Sequence, residues 1–476
     1  MLIHLRPSSV GFLALSGLLV VACSQGDGTS PGSSAVTPPV GRQLASGALT
    51  LRGVTSDGWA VYSEDDSLTL RAAPIGGGAP RDIVALSDSF AISVWFDEVF
   101  VWPSKNDAGV GPLTVWTSQS GAHAVSQASL APWVAASADG HTILYVDQAD
   151  ASGQTGNVVG AASDGSGATV LVSAVGSLQS SACSALMGFA GTYALVAHCD
   201  GGASKATISS FALPSWQRAD LATGAVDYWS TDPKGTMLLT GTAAGSVVVP
   251  MGGGTQTVID PAGTGGTLIS DGQSVIYGTS SDALRRSPVT EPKPTTLVVG
   301  GFAGMWALSP DEKWLLYYQN LDTQHFVSDL FLASTSTAGA ATALSTAQNA
   351  RIWGDAFTSD ASHALYFTDI DPTSNVGTLH AMDLGGSKTQ VVVGQNTAIG
   401  MAGLGGKVIY NDNYTWNGTR GHADVRVVDL SGGAAPVLIV NQADSEISMS
   451  PGLDSVIYTW SLDDGPRAGL WVAPVP

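Results

Sequence analysis

The strongest constraint in this sequence is a short pattern that returns along its length. Its clearest copy contains Trp306-Ala307-Leu308, the turn Ser309-Pro310-Asp311-Glu312-Lys313 and the strand Trp314-Leu315-Leu316-Tyr317-Tyr318. It continues through Ser328-Asp329-Leu330-Phe331-Leu332-Ala333 and closes at Ala341-Thr342-Ala343-Leu344. Alternating apolar residues on either side of the turn give each strand one buried face. Ser and Asp bond their own backbone in such turns and Pro presets φ. The unit therefore reads as strand, tight turn, strand, long loop, strand, turn and strand.

Other copies place Ser56-Asp57-Gly58 before Trp59-Ala60-Val61-Tyr62, and Ser137-Ala138-Asp139-Gly140 before Ile143-Leu144-Tyr145-Val146. Asp232-Pro233-Lys234-Gly235 precedes Met237-Leu238-Leu239, and Ser270-Asp271-Gly272 precedes Val275-Ile276-Tyr277. Ser359-Asp360-Ala361 leads into Ala364-Leu365-Tyr366-Phe367, and Ser450-Pro451-Gly452 into Val456-Ile457-Tyr458. Weaker copies sit at Val94-Trp95-Phe96-Asp97, between Cys183 and Cys199, and at Gly405-Gly406-Lys407-Val408-Ile409-Tyr410. Successive turns lie roughly 40 to 50 residues apart, the period of a four-stranded propeller blade.

These units resemble the TolB-like β-propeller repeat: an apolar strand, Ser-Pro-Asp-Gly, an aromatic-bearing strand, a loop, a strand with Asp, and a closing strand. The resemblance covers nearly all of residues 51 to 475 and is strongest from 309 to 344. It implies a fold and leaves the activity open, because the same repeat serves envelope scaffolds, peptidase gating domains and polysaccharide-degrading enzymes. One blade leaves an apolar face and an edge uncovered, so blades must pack against one another. The expected fold is all-β, a propeller of four-stranded antiparallel blades with about seven to ten repeat units. About ten candidate units exceed the four to eight blades of a typical propeller, so one large ring, two rings sharing the chain or a weak copy that is no blade remain open, and the absence of an internal linker favours a single closed assembly. The last unit stops after a third strand, Gly469-Leu470-Trp471-Val472-Ala473, and residues 42 to 50 are predicted to supply its missing outer strand.

The beginning of the chain has a different character. Residues 1 to 22 carry Arg6 and then an apolar run ending Leu19-Val20-Val21-Ala22, too short to span a bilayer. With the following Cys23, the run resembles a lipobox, which implies cleavage before Cys23 and lipidation of its thiol. Ser24 in place of an acidic residue favours the outer membrane. Residues 23 to 42 are poor in groups to bury and are expected to act as a disordered tether, holding residues 43 to 476 on the order of 20 to 25 Å from the membrane.

Composition narrows the partners. Charged residues are 12% of the chain, glycines number 58 and the net charge is −20. Such an acidic surface repels phosphate backbones and anionic headgroups, so nucleic acid is excluded as a partner and membrane contact is assigned to the lipid alone. Once Cys23 is lipidated, Cys183 and Cys199 remain as an even pair about a hairpin centred on Gly191, and a disulfide is predicted.

The loops between second and third strands collect acidic, amide and aromatic residues. The candidate ligand or partner face comprises Asp65, Asp66, Asp147, Asp322, Asp369, Asp371, Asp412, Trp416 and Asp463. Converging, these groups would suit a sugar, a cation or a basic protein segment; alternatively Asp and Asn are there because they favour turns. The loop from Asp369 to Asn375 alternates oxygen ligands but lacks the sharp-turn Gly and terminal Glu of a calcium loop. No metal or cofactor is expected. The histidines lack metal-binding spacing, and nucleophile-elbow and phosphate-loop motifs are missing. Trp59, Trp95, Trp229, Trp306, Trp314 and Trp353 are expected to pack between blades. The expected function is a non-catalytic binding or scaffold surface for an envelope protein or polysaccharide. The alternative is a lipid-anchored polysaccharide hydrolase or lyase.

Overall fold

The computed structural model describes residues 39–176, 186–199, 206–225 and 229–476, except 271, 300–301, 323, 326, 338, 340, 353, 372–373, 387, 417–420, 434, 445–446 and 462–466. The expected signal peptide of residues 1 to 22, with Cys23, Cys183, Trp353 and Asp463, lies outside the described residues.

Regular structure in the described residues is all strand, arranged as eight four-stranded antiparallel sheets and one of six strands. The six-stranded sheet is two repeats joined without a break. Its strand Gln390–Leu404 pairs with Val376–Asp383 up to Ala398, and from Ala398 onward with Lys407–Trp416. The same strand is thus the outermost of one blade and the innermost of the next. The preceding blade's own inner segment is reduced to the isolated bridges Arg351 to Phe367 and Phe357 to Ala364. Ten blades follow in the described residues.

The described residues form two compact units, one of residues 83–305 with 333–341, the other of 306–332 and 342–476 with those up to 82. The boundaries fall inside the strands Arg81–Ala85 and Phe302–Leu308, so no linker composition marks them. The first unit contains five complete four-stranded sheets, from Ala91–Trp95 to Thr295–Val298. The second contains the six-stranded sheet, the closing blade and most of the two remaining sheets.

The recurring aromatic residue makes the core. Tyr62, Tyr145, Tyr277, Tyr317, Tyr366, Tyr410 and Tyr458 occupy the same position of the second strand, and all are fully buried. Burying such a ring stabilises by roughly 1.5–3 kcal/mol before entropy is counted, which explains why the position repeats. The turns are braced as their residues predict. Thr55, Ser137, Ser309 and Ser450 donate to Asp57, Asp139, Asp311 and Asp454, and each hydroxyl also accepts the N–H that opens the next strand.

The closing strand is present. Arg42–Ser46 pairs antiparallel with Gly469–Pro474, placing Arg42 opposite Val472 and Ser46 opposite Gly469. A side chain at Gly469 would put its Cβ 2.1 Å from the Ala45 carbonyl oxygen, so the two strands meet only because the residue is glycine. Gln43 donates to the Ala468 carbonyl oxygen at 3.1 Å, and the Tyr458 hydroxyl to that of Val40. Leu49 and Thr50, expected in this latch, instead begin Leu49–Val54, the first strand of the next sheet.

The hairpin before Cys199 is Leu186–Ala190 paired with Tyr193–His198, turning on Gly191 and Thr192. Cys199 is buried. Its predicted partner Cys183 lies outside the described residues.

Candidate functional site

Three second strands of the second unit are nine or ten residues long, against five or six in the other blades: Trp314–Asp322, His363–Asp371 and Lys407–Trp416. Residues expected in loops, Asp322, Asp369, Asp371, Asp412 and Trp416, are therefore strand residues. The extension follows a left-handed residue, Asn320, Asp369 or Asn413, with φ near +50°. In the last two strands the register also shifts there, between Thr368 and Asp371 and between Asp412 and Thr415.

A side-chain clasp holds this break. Asn320 donates to the Asp329 carboxylate at 2.7 Å, and the Gln348 N–H donates to the other Asp329 oxygen at 2.9 Å. Asn413, Asp424 and Gln442 repeat the arrangement at 2.9 and 3.2 Å. In the first unit, Asn157 donates to Gln148 at 3.0 Å and accepts the Ala174 N–H at 2.9 Å. In each case left-handed residues on the second and fourth strands are tied through one polar residue on the third. Sequence reasoning missed this clasp. Its one signal is Asp or Asn near the start of the third strand.

The candidate acids have the following partners. Asp65 accepts from Thr50 at 3.0 Å and is exposed, as is Asp66. Asp147 accepts from Ser126. Its neighbour Asp150 accepts from Ser152, Thr155 and the Gln154 N–H, and these bonds, Ser152 first, draw its carboxyl down to about 2. Asp322 accepts from His325 Nδ1 at 2.7 Å, the main cause of its lowered pKa. Asp369 accepts from Asn349 at 2.8 Å and Asp371 from Ser374 at 2.7 Å. Trp416 is 54% exposed at the end of its strand.

Asp412 differs in being partly buried beside an arginine. Its Oδ2 lies 2.9 Å from Arg426 Nε, while Arg426 Nη2 lies 3.4 Å from Asp424. Burial raises the Asp412 pKa, against the lowering effect of the Asn413 N–H and the Arg426 charge. Asp412 and Arg426 line a hollow of about 360 Å³ together with Val392, Gln395, Tyr410 and Pro436. It offers hydrogen-bond donors and acceptors beside an aromatic and an aliphatic wall. Among the described residues no group of three or more His, Cys, Asp or Glu is arranged to hold a metal ion.

One buried acid escaped the sequence reading. Glu98 is fully buried in the first unit, and burial, then the charge of Asp97 and a hydrogen bond with it, push its carboxyl up to about 9. Of the tryptophans expected between blades, Trp306 is buried and Trp95 and Trp229 pack against core clusters, while the fully buried Trp102, Trp116 and Trp460 were not among those named. Trp59 and Trp314 remain partly exposed and carry Arg81 and Lys388 over their rings at 4.6 and 4.9 Å.

Sheets of this construction define a β-propeller protein. Solved structures similar to this chain include the tricorn protease, at 11% identity and a TM-score of 0.32, covering 90% of this chain and 52% of that one. They also include an oligogalacturonate lyase in complex with manganese, at 14% identity and a TM-score of 0.36 over 71% of this chain and 98% of that one. A third is the β-propeller domain of the Trilobed protease from Pyrococcus furiosus, at 10% identity and a TM-score of 0.32 over 61% and 93%. The chain spans about half the length of the tricorn protease it matches. No protein-family model and no curated protein matches the sequence.

Proposed function

We propose that this chain is a lipid-anchored protein of the bacterial cell envelope whose propeller is a non-catalytic binding surface for an envelope protein or polysaccharide. The observation that carries the reading is the occupation of the candidate acids. Asp322, Asp369 and Asp371, all of the second unit, accept hydrogen bonds at the ends of their strands. Carboxylates used in this way shape a rigid rim of acceptors and amides, which suits recognition. Exposed Trp416 adds an aromatic plane of the kind on which a sugar ring or an apolar side chain packs.

Cross-linking in intact envelopes followed by mass spectrometry tests the reading. One partner, recovered with the wild type and lost with Trp416→Ala, is the expected result. Recovery of no specific partner sinks it. Cys23→Ser should release the protein from the membrane fraction.

A second reading, a polysaccharide hydrolase or lyase, is favoured by Asp412, whose raised pKa and place in a hollow beside Tyr410 suit a proton-transferring group. Depolymerisation of a polysaccharide panel that Asp412→Asn abolishes would establish it in place of the first.

A further inference from the structure

The shared strand Gln390–Leu404 leaves part of one edge open. From Gln390 to Thr397 it pairs with Val376–Asp383 alone among the described residues, and its other edge gains a neighbour only at Ala398. One carbonyl on that edge, of Val393, accepts the Tyr410 hydroxyl at 3.1 Å. An open edge presents N–H and C=O groups as a template for another strand, and proteins usually blunt it with charge or proline.

Here the exposed start of the edge is apolar instead: Val391 and Val392 are 45% and 54% exposed, and on the strand Val437–Asp444, Val437 and Leu438, following Pro436, are 49% and 46% exposed. Val392 and Pro436 line the same hollow; Leu438, paired with Arg426, shares the face of that lining arginine, and by alternation Val391 and Val437 point to the opposite faces of their strands. Nine large apolar side chains are exposed among the described residues, and four of them are these, which makes scatter a poor explanation. At the hollow, Arg426 meets two carboxylates, Asp412 and Asp424, leaving one net negative charge beside the apolar strip.

We infer that this edge and hollow bind an extended peptide segment that adds as a strand, with apolar side chains on Val392 and Leu438 and a lysine or arginine directed to Asp412 and Asp424. Main-chain hydrogen bonds to the strand would supply affinity, and the alternation of side chains the specificity. Charge decides against a second copy as occupant, since self-association would bring together two surfaces of a chain carrying −20. The inference rests on the binding-surface reading and shares Asp412 with the hydrolase or lyase reading, which depolymerisation abolished by Asp412→Asn would establish instead.

Fluorescence polarisation with capped octapeptides tests the assignment. Peptides alternating valine and lysine should bind in the micromolar range, and Val392→Lys or Leu438→Lys should weaken them about tenfold or more. Val170→Lys, at an exposed valine on an outer strand of the first unit, should leave affinity unchanged. Methylating alternate peptide nitrogens should abolish binding, as strand addition requires. The proposal is overturned if no peptide binds, if peptides with glutamate for lysine bind equally, or if Val392→Lys binds like the wild type. Sedimentation showing a dimer that Val392→Lys dissociates, without peptide binding, would give the edge to a second copy and overturn it equally.

Discussion

The carboxylate of Asp329 accepts the backbone N–H of Gln348 at 2.9 Å, holding Gln348 at a φ of +47° that few non-glycine residues adopt. Asp329 is 7% exposed, but its donors belong to the exposed residues Gln348 and Asn320, which water can reach once the carboxylate is gone. Asp329→Ala should therefore cost about 0.5–1.5 kcal/mol, with faster hydrogen exchange at Gln348. An unchanged unfolding free energy would show that water replaces the clasp.

Removing residues 39–46 should be more damaging. The deletion exposes the edge of Gly469–Pro474, including Leu470, which is fully buried. The expected loss is roughly 3 kcal/mol or more, read as an earlier and broader thermal transition. A truncated protein that melts with the wild type would mean that the paired strand is ornamental.

Glu98 makes stability depend on pH. Its folded pKa is raised from 4.5 to about 9, so the unfolded chain loses this proton first as pH rises. The contribution of Glu98 is complete below about pH 4.5 and declines until the folded group ionises near pH 9, at about 1.4 kcal/mol per pH unit within the window. Glu98→Gln should flatten this slope in chemical denaturation at several pH values. Parallel slopes for the two proteins would contradict the assignment.

Trp416→Ala should leave stability within about 0.5 kcal/mol, because the ring is 54% exposed and contributes little to the core. Its effect belongs to partner recovery. A large drop in melting temperature would recast Trp416 as structural.

Thiol titration of the unreduced, denatured protein should find neither Cys183 nor Cys199 reactive, and reduction should release both. Loss of the bridge is expected to cost about 3 kcal/mol on the chain-entropy view. Two thiols before reduction would remove it from the account.

The blades were legible because their signals are local. The Ser-Asp turns and the tyrosines at Tyr62, Tyr145 and Tyr458 state both the bend and the buried face in adjacent residues. Even the weak copy at Val94 to Asp97 forms its hairpin, Ala91–Trp95 with Glu98–Trp102. The clasp was hidden because Gln348, Gln442 and Ala174 are not residues whose type announces a left-handed backbone. The extended strands were hidden by the same cause: Asn413 and Asp369 look like loop residues, yet each passes the chain through one left-handed step and back into pairing. Glu98 shows a third limit, since a group distant in sequence acts on it: the charge of Asp139, in the turn before Thr142–Asp147, adds to the effects of burial and Asp97.

The uninterrupted strand Gln390–Leu404 bears on how this chain tolerates change. Elsewhere a loop separates one blade from its successor, and such a loop can lengthen without disturbing either. Here there is no such slack: an extra residue near Ala398 would rotate every side chain beyond it to the opposite side and put two blades out of register together. Insertion scanning should find this stretch the least forgiving of the second unit's blade junctions, and a tag or domain intended for that unit belongs at another crossover.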